Sequence, residues 1–98
     1  MPAFGADLSV TQVYTQSGSG DHRNNVTVTD GWYIAEVYAG SFRVNSPIPQ
    51  NMTYGIGLNN PASDGIDVSQ LIRLKAGTYE FRFDGKSSSA TAKVYKIN

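Results

Sequence analysis

The sequence predicts an all-β fold, an antiparallel β-sandwich of about eight short strands that forms a single domain over residues 1–98. The clearest evidence is the stretch Thr78–Phe83, in which Tyr79, Phe81 and Phe83 alternate with polar side chains. Alternation with a period of two residues is typical of a strand that buries one face. Similar segments recur about every 8–12 residues between turn-forming residues, as in sandwiches and barrels. No segment keeps the helical periodicity of 3.6 residues for long enough to predict a helix.

Four strands are predicted in the first half of the chain: Asp7–Thr15, Val26–Thr29, Trp32–Tyr38 and Ser41–Asn45. In the first of them, Leu8, Val10 and Tyr14 are predicted to share one face. Residues 16–25 are rich in Gly and Ser and are predicted to form a polar loop. Asp30-Gly31 predicts a type I′ hairpin turn before the third strand, because both central residues of that turn require positive φ.

Four more strands are predicted after Pro47 and Pro49, which interrupt pairing because proline donates no hydrogen bond to a strand ladder. These strands are Met52–Leu58, Ile66–Leu74, Thr78–Phe83 and Ala90–Ile97. Residues 59–65 and 86–89 are predicted to be polar loops. Further turns are predicted at Ala39-Gly40, Ala76-Gly77 and Asp84-Gly85.

The composition argues against several classes of function. Eight basic side chains balance eight acidic ones without forming a basic stripe, so nucleic-acid binding through phosphates is not expected. The absence of cysteine excludes disulfides, thiolate metal sites and cysteine nucleophiles. The N-terminus lacks the features of a signal peptide, and no apolar run approaches the roughly 20 residues that span a bilayer. We therefore expect synthesis in the cytoplasm and no membrane partner.

Candidate catalytic residues are few. His22 is the only histidine, and although Asp21 could orient its ring, we expect a solvated loop residue. Glu36 and Glu80 are strand carboxylates that could form a glycosidase pair, but such groups more often meet cross-strand arginines, here Arg43 or Arg82. The sequence therefore predicts a protein that is not an enzyme and has no catalytic residue.

A calcium site is the metal-binding alternative that the sequence leaves open. Asn60, Asp64 and Asp67 offer oxygen ligands within a short segment, and calcium prefers oxygen ligands. Their spacing does not match the EF-hand pattern, and turns require the same residue types for their own hydrogen bonds. We expect turn chemistry at these positions, and we expect neither a cofactor nor a zinc site in a chain with one histidine and no cysteine.

The segment Trp32–Tyr38 is apolar on both faces. Trp32, Ile34 and Tyr38 lie on one face, and the other face carries Tyr33, Ala35 and Val37. Leu71, Ile72 and Leu74 have a similar two-sided character. A strand of a sandwich normally has one polar face, so the second apolar face needs an explanation.

Three explanations remain open for that second face. A loop of the same chain could cover it, it could form a subunit interface, or its aromatic rings could stack on sugars. The predicted interface anchors are Trp32, Tyr33, Tyr38 and Tyr54. Phe4 is a further anchor, in an extended N-terminal arm over residues 1–6, because short terminal segments often order only against a neighbour.

The last third of the chain resembles the late strands of small jelly-roll proteins. The segments Leu-Lys-Ala-Gly-Thr-Tyr-Glu-Phe-Arg-Phe and Ala-Thr-Ala-Lys-Val-Tyr-Lys-Ile carry this resemblance. The first of them is similar to a segment that leads into a core strand in trimeric C1q-like and tumour-necrosis-factor-like domains. No functional residue of those families can be aligned with this chain. The resemblance implies a jelly-roll-like sandwich.

The general character of the chain resembles small virion proteins of tailed bacteriophages, which decorate or cement capsids and tails. It is short and free of cysteine, and it is rich in Ser, Thr, Asn and Gly. The resemblance implies a structural protein of the virion that forms a dimer or trimer and binds a larger assembly such as a capsid. The alternative is a carbohydrate-binding module in which surface aromatic side chains stack on a glycan.

Overall fold

The structure is a computed structural model that describes residues 9–45, 54–60 and 67–98. Within these ranges the chain forms β-strands and no helix, which confirms the all-β prediction. The strands are β1 (Val10–Ser17), β2 (Gly20–Val28), β3 (Gly31–Tyr38), β4 (Gly40–Asn45), β5 (Tyr54–Asn60), β6 (Val68–Leu74), β7 (Gly77–Gly85) and β8 (Thr91–Ile97).

The strands form two antiparallel sheets of four strands each. The first sheet has the order β1-β8-β3-β6, and the second has the order β2-β7-β4-β5. The pairing is nested, because β1 pairs with β8, β2 with β7, β3 with β6 and β4 with β5. Of the strands that follow each other along the chain, β4 and β5 are hydrogen-bonded to each other, whereas the other described strands alternate between the sheets.

The hydrophobic core lies between the two sheets. Alternate residues of both sheets point inward, and the largest fully buried side chains are Tyr33, Phe42, Phe81, Phe83, Val37 and Val94. Phe81 is central to the core, because its ring meets Tyr14 and Phe42 edge-on at centroid distances of 5.1 and 5.6 Å. Edge-to-face contacts of this kind are a preferred arrangement of aromatic rings. The predicted alternation in Thr78–Phe83 therefore places the aromatic side of β7 in the core.

The prediction of a polar loop over residues 16–25 is wrong. β1 continues to Ser17, and β2 starts at Gly20 and pairs with β7 along its whole length. A sharp turn joins the two strands, and Gly18 and Gly20 have positive φ values of 102° and 96°. β2 is an edge strand, and most of its side chains remain exposed, so a polar sequence suits it.

Both predicted Asp-Gly turns are also wrong. β2 and β3 belong to different sheets, so Asp30-Gly31 connects the sheets and is not a hairpin turn. β7 continues through Asp84 and Gly85, and the chain turns only after them. The Asp-Gly signal assumes that neighbouring strands pair with each other, whereas here long-range pairing determines which strands meet.

A β-bulge changes the predicted face of β1. The register with β8 shifts between Gln12 and Tyr14. Val10 therefore lies opposite Ile97, on the outer side of the first sheet, whereas Tyr14 lies opposite the buried Val94. The prediction that Val10 and Tyr14 share one face is wrong, because a bulge inserts one extra residue and reverses the alternation.

β5 ends later than predicted. It extends to Asn60, whose buried side-chain amide donates a hydrogen bond to the Val37 carbonyl at 3.1 Å. This hydrogen bond links the second sheet to the first. The loop that was predicted to start at Asn59 can start only after Asn60, because both residues belong to β5. The predicted start of this strand, at Met52, lies outside the described residues.

Candidate interaction face

The outer side of the first sheet carries an apolar surface centred on β3. Residues of β3 alternate, so that Tyr33 and Ala35 enter the core while Trp32 and Ile34 point outward. We call this surface the Trp32 face and define it by Trp32, Ile34, Leu71, Arg73 and Tyr95.

Two large apolar side chains of the Trp32 face are exposed. Trp32 is 49% exposed and Leu71 is 54% exposed, and they are the only exposed large hydrophobic residues among those whose side chains the structure describes. Ile34 lies between Leu71 and Tyr95 in the strand register and is only 4% exposed, although it does not belong to the core cluster. Ile34 is thus the buried centre of a second, smaller apolar cluster outside the core.

Arg73 borders this cluster. It lies directly opposite Trp32, and its guanidinium carbon is 5.7 Å from the centre of the Trp32 ring. It also forms an ion pair with Asp30 at 3.1 Å. At exposed positions a cation–π contact contributes about 0.5–1 kcal/mol and an ion pair about 0–1 kcal/mol. The guanidinium of Arg73 thus lies over the indole ring, and about half of the Trp32 side chain remains exposed.

A groove lies further along the same side of the sheet. It has a volume of about 300 Å³ and is lined by Glu36, Val37, Tyr38, Asp67, Thr91 and Lys93. Glu36 faces Lys93 across the β3–β8 pair, so the groove contains both charges as well as hydroxyl groups. Along β3, Glu36 is four residues from Trp32, a separation of about 13 Å. The groove and the indole ring could therefore contact one elongated ligand.

The outer side of the second sheet is polar. Arg23, Arg82 and Arg43 form a row across β2, β7 and β4. The Asp21 carboxylate forms ion pairs with Arg23 at 2.9 Å and with Arg82 at 3.0 Å. The hydrogen bond from Arg82 is the main reason that the pKa of Asp21 lies below its usual value of 3.8, and Arg23 lowers it further. Glu80 accepts a hydrogen bond from Asn45 at 3.0 Å, instead of the predicted arginine partner.

The predicted anchors occupy different environments. Trp32 is on the surface as expected, whereas Tyr33 is only 1% exposed and its hydroxyl donates to the Thr29 carbonyl at 2.6 Å. The prediction of Tyr33 as an interface anchor is wrong, because its position in β3 turns it into the core. Tyr38 is partly buried against the core and lines the groove. The side chain of Tyr54, and Phe4 with the whole N-terminal arm, lie outside the described residues.

The structure separates the predicted catalytic candidates. His22 lies in β2 rather than in a loop, where its ring stacks on Phe83 at 6.0 Å and Nε2 is 3.2 Å from the Ser19 carbonyl oxygen. Glu36 lies on the outer side of the first sheet and Glu80 on the outer side of the second. Two carboxylates on opposite sides of a sandwich cannot flank one glycosidic bond.

The three predicted calcium ligands do not form a site within the described residues. Asn60 is buried and donates to the Val37 carbonyl, Asp67 is exposed at the groove, and Asp64 lies outside the described ranges. Across residues 9–45, 54–60 and 67–98, no group of three His, Cys, Asp or Glu side chains is placed to hold a metal ion.

Of the five residues of the Trp32 face, Trp32 alone was predicted as an anchor, and Ile34, Leu71, Arg73 and Tyr95 were not. The two-sided apolar pattern of Leu71, Ile72 and Leu74 was the signal that could have identified Leu71. Arg73 could be assigned only from the register that sets it opposite Trp32.

No protein-family model matches the chain, and a search of curated proteins finds no similar sequence. Within the described residues, no helix is long and apolar enough to cross a membrane. Function must therefore be inferred from the surfaces of the chain.

Proposed function

We propose that this chain is a non-enzymatic structural protein, a jelly-roll-like sandwich that forms homo-oligomers and decorates or stabilises a larger assembly. The proposed assembly is a bacteriophage capsid or tail, and the proposed location is the virion. The observation that carries this proposal is the Trp32 face, with Trp32 and Leu71 exposed around the buried Ile34.

The size of the exposed surface supports binding through several copies. A tryptophan side chain can bury about 150–250 Å², so covering the exposed half of Trp32 removes about 100 Å² from water and contributes about 2–3 kcal/mol. Covering the exposed half of Leu71 adds about 1 kcal/mol. Association costs at least about 4 kcal/mol in lost freedom of motion. One patch is therefore marginal, whereas an oligomer that presents several patches to a repeating surface gains from multivalency.

Two further features support the proposal. The nested pairing of the eight strands in two sheets is the arrangement expected of a jelly roll, a fold that occurs in viral capsid proteins and also in lectins. The bacteriophage assignment is supported by the resemblance of the chain to small virion proteins in length and composition.

The first test is the absolute mass of the purified protein, measured by light scattering after size exclusion over a range of micromolar concentrations. One chain has a mass of 10.6 kDa, and the proposal predicts two or three times this value. A monomer at every concentration would contradict the homo-oligomer.

The second test concerns the assembly. Mass spectrometry of purified virions from the phage that encodes the chain is expected to detect it in fixed proportion to the capsid or tail protein. Trp32→Ala should release the protein from these particles. Asn25→Ala is the matched control, because Asn25 is exposed on the outer side of the other sheet and should leave binding unchanged. Equal binding of both variants would show that the Trp32 face is not the contact surface.

Carbohydrate binding is the second candidate function, and the groove favours it. An exposed indole ring lies on the same side of the sheet as a groove of about 300 Å³ that contains carboxylates, an ammonium group and hydroxyl groups. Rings that stack on sugars and polar groups that bind their hydroxyls are the elements of such a site. A glycan array, followed by calorimetry with Trp32→Ala and Asn25→Ala, tests it. A monomeric protein that binds a glycan only while Trp32 is present would favour this function over the structural one.

A further inference from the structure

Among the described strands, β6 is an edge strand of the first sheet. It is the last strand in the order β1-β8-β3-β6, so within the described residues one of its sides pairs with β3 and the other pairs with no strand. Exposed edges of this kind offer unpaired N–H and C=O groups to another chain, and proteins usually protect them with charges, proline or bulges.

β6 is less protected than the other three edges. β1 carries a bulge, β5 has a register irregularity where it pairs with β4, and β2 contains Asp21 and Arg23. β6 has no proline and no bulge in its pairing with β3. Its single charged residue, Arg73, is held by Asp30 at 3.1 Å. Its central residue, Leu71, is exposed.

We propose that β6 pairs antiparallel with β6 of a second copy, around a two-fold axis that passes beside Leu71. This inference rests on the proposed homo-oligomer and names the surface and the partner that form it. The seven paired positions would alternate between pairs that exchange two hydrogen bonds and pairs that exchange none, which gives about six to eight backbone hydrogen bonds.

The sequence around β6 is complementary to itself in this arrangement. Full overlap of the two strands places Leu71 opposite Leu71 of the second copy, and the numbers of all opposed residues then sum to 142. Val68 meets Leu74 of the second copy, so an apolar residue faces an apolar one at both ends of the ladder. Asp67 and Lys75, both exposed, flank the strand and would oppose each other. Because of the two-fold symmetry, Asp67 of each copy would face Lys75 of the other, which gives two pairs of opposite charge. Cross-strand pairs of opposite charge are stabilising.

The dimer would also extend the Trp32 face. The two Leu71 side chains would meet on the outer side of a continuous sheet of eight strands, each next to an Ile34 of its own copy. Both Trp32 rings would then lie on one side of the dimer and remain free to contact a larger assembly. Two linked patches bind a repeating surface more tightly than one, without any new kind of contact.

Disulfide trapping tests the position of the axis directly, since the natural chain has no cysteine. In Leu71→Cys, opposed Cα atoms of an antiparallel pair would be about 4.5–5.5 Å apart, within the range that a disulfide bridges. In the control Ser69→Cys, the two cysteines would be four residues apart along the strands, about 13 Å, which is too far. Both positions are exposed on the same side of β6, so neither substitution should prevent folding.

The expected result is covalent dimer from Leu71→Cys under mild oxidation, at a rate at least tenfold above that of Ser69→Cys. Equal and slow cross-linking of both variants, in a protein whose wild-type mass is that of a dimer, would overturn the β6 pairing but leave the proposed homo-oligomer in place. A wild-type monomer would overturn the homo-oligomer itself, and a trimer would contradict the two-fold axis.

Charge reversal gives an independent test. Asp67→Lys places a lysine opposite Lys75 of the second copy at two positions and should weaken dimerisation about tenfold. Asp67→Lys combined with Lys75→Asp restores opposite charges and should return the dissociation constant to within about twofold of wild type. Sedimentation equilibrium measures both constants. Failure of the double variant to recover would exclude this register.

Discussion

Gly40 offers a sharp test of how closely the strands pack at one end of the second sheet. It is a buried residue at the start of β4 and lies opposite Gly85 of β7. A Cβ atom at this position would lie 2.5 Å from the Asp84 carbonyl oxygen and 2.9 Å from Cε1 of Phe83, whereas ordinary contacts are 3.4–4 Å. The nearest obstacle is backbone, so Gly40→Ala can be accommodated only if β4 and β7 move apart.

The expected cost follows from two opposing contributions. Overpacking of a well-packed site costs about 1–3 kcal/mol. Replacing glycine by alanine also lowers the conformational entropy of the unfolded chain, which stabilises the folded state by about 0.4–1 kcal/mol. The net expectation is a loss of about 1–2 kcal/mol, which for a domain of this size lowers the melting temperature by about 5–15 °C.

Gly31→Ala is the matched control. Its added Cβ would meet only the flexible end of Lys96, with Cε at 3.0 Å and Nζ at 3.5 Å. Neither Gly40 nor Gly31 has a positive φ, so the comparison isolates the steric effect. Thermal and urea unfolding should show Gly31→Ala within about 0.5 kcal/mol of wild type. If Gly40→Ala is as stable as Gly31→Ala, the close packing of β4 on β7 is refuted.

Two further predictions concern ionisable groups. The pKa of Asp21 is lowered in the folded state by Arg82 and Arg23, so its stabilising effect is complete above its unfolded pKa of about 3.8 and is lost as pH falls through the folded value. Asp21→Asn should therefore lower the urea midpoint at pH 7, and the difference from wild type should shrink as the pH falls below about 3.8; a difference that does not change with pH would contradict this. Burial raises the pKa of the Tyr14 hydroxyl, which has no hydrogen-bond partner in the described structure although Asn24 lies close enough to oppose the shift. Tyr14→Phe should be at least as stable as wild type at pH 7, and it should lose less stability than wild type above pH 10, where the unfolded tyrosine ionises. A clear loss of stability at pH 7 would show that the hydroxyl has a partner.

The sequence was most informative where one strand could be considered by itself. The alternation of Tyr79, Phe81 and Phe83 predicted both the strand and its buried side, because side chains of a strand alternate whatever it pairs with. The two apolar faces of Trp32–Tyr38 likewise predicted an unusual outer surface, and Trp32 is exposed there.

Predictions failed where the outcome depended on pairing with a distant strand. The first six residues of β2 were predicted as a loop, because their polar side chains are typical of loops and only the pairing with β7 makes them a strand. Asp30-Gly31 suggested a hairpin, but β2 and β3 belong to different sheets, and the connection between them crosses from one sheet to the other. The bulge in β1 reversed the faces of Val10 and Tyr14, and no local pattern indicated it.

The sequence by itself determined the fold class, the approximate positions of most strands and the presence of a second apolar face, since local alternation and turn chemistry fix these features. Only the tertiary structure decided which residues form that face. In the structure, Tyr33 lies in the core, and the pairing of β6 with β3 places Leu71 and Arg73 next to Ile34 and Trp32. The register between β3 and β6 makes these neighbours, and a register depends on contacts between residues about forty positions apart, which no local pattern encodes.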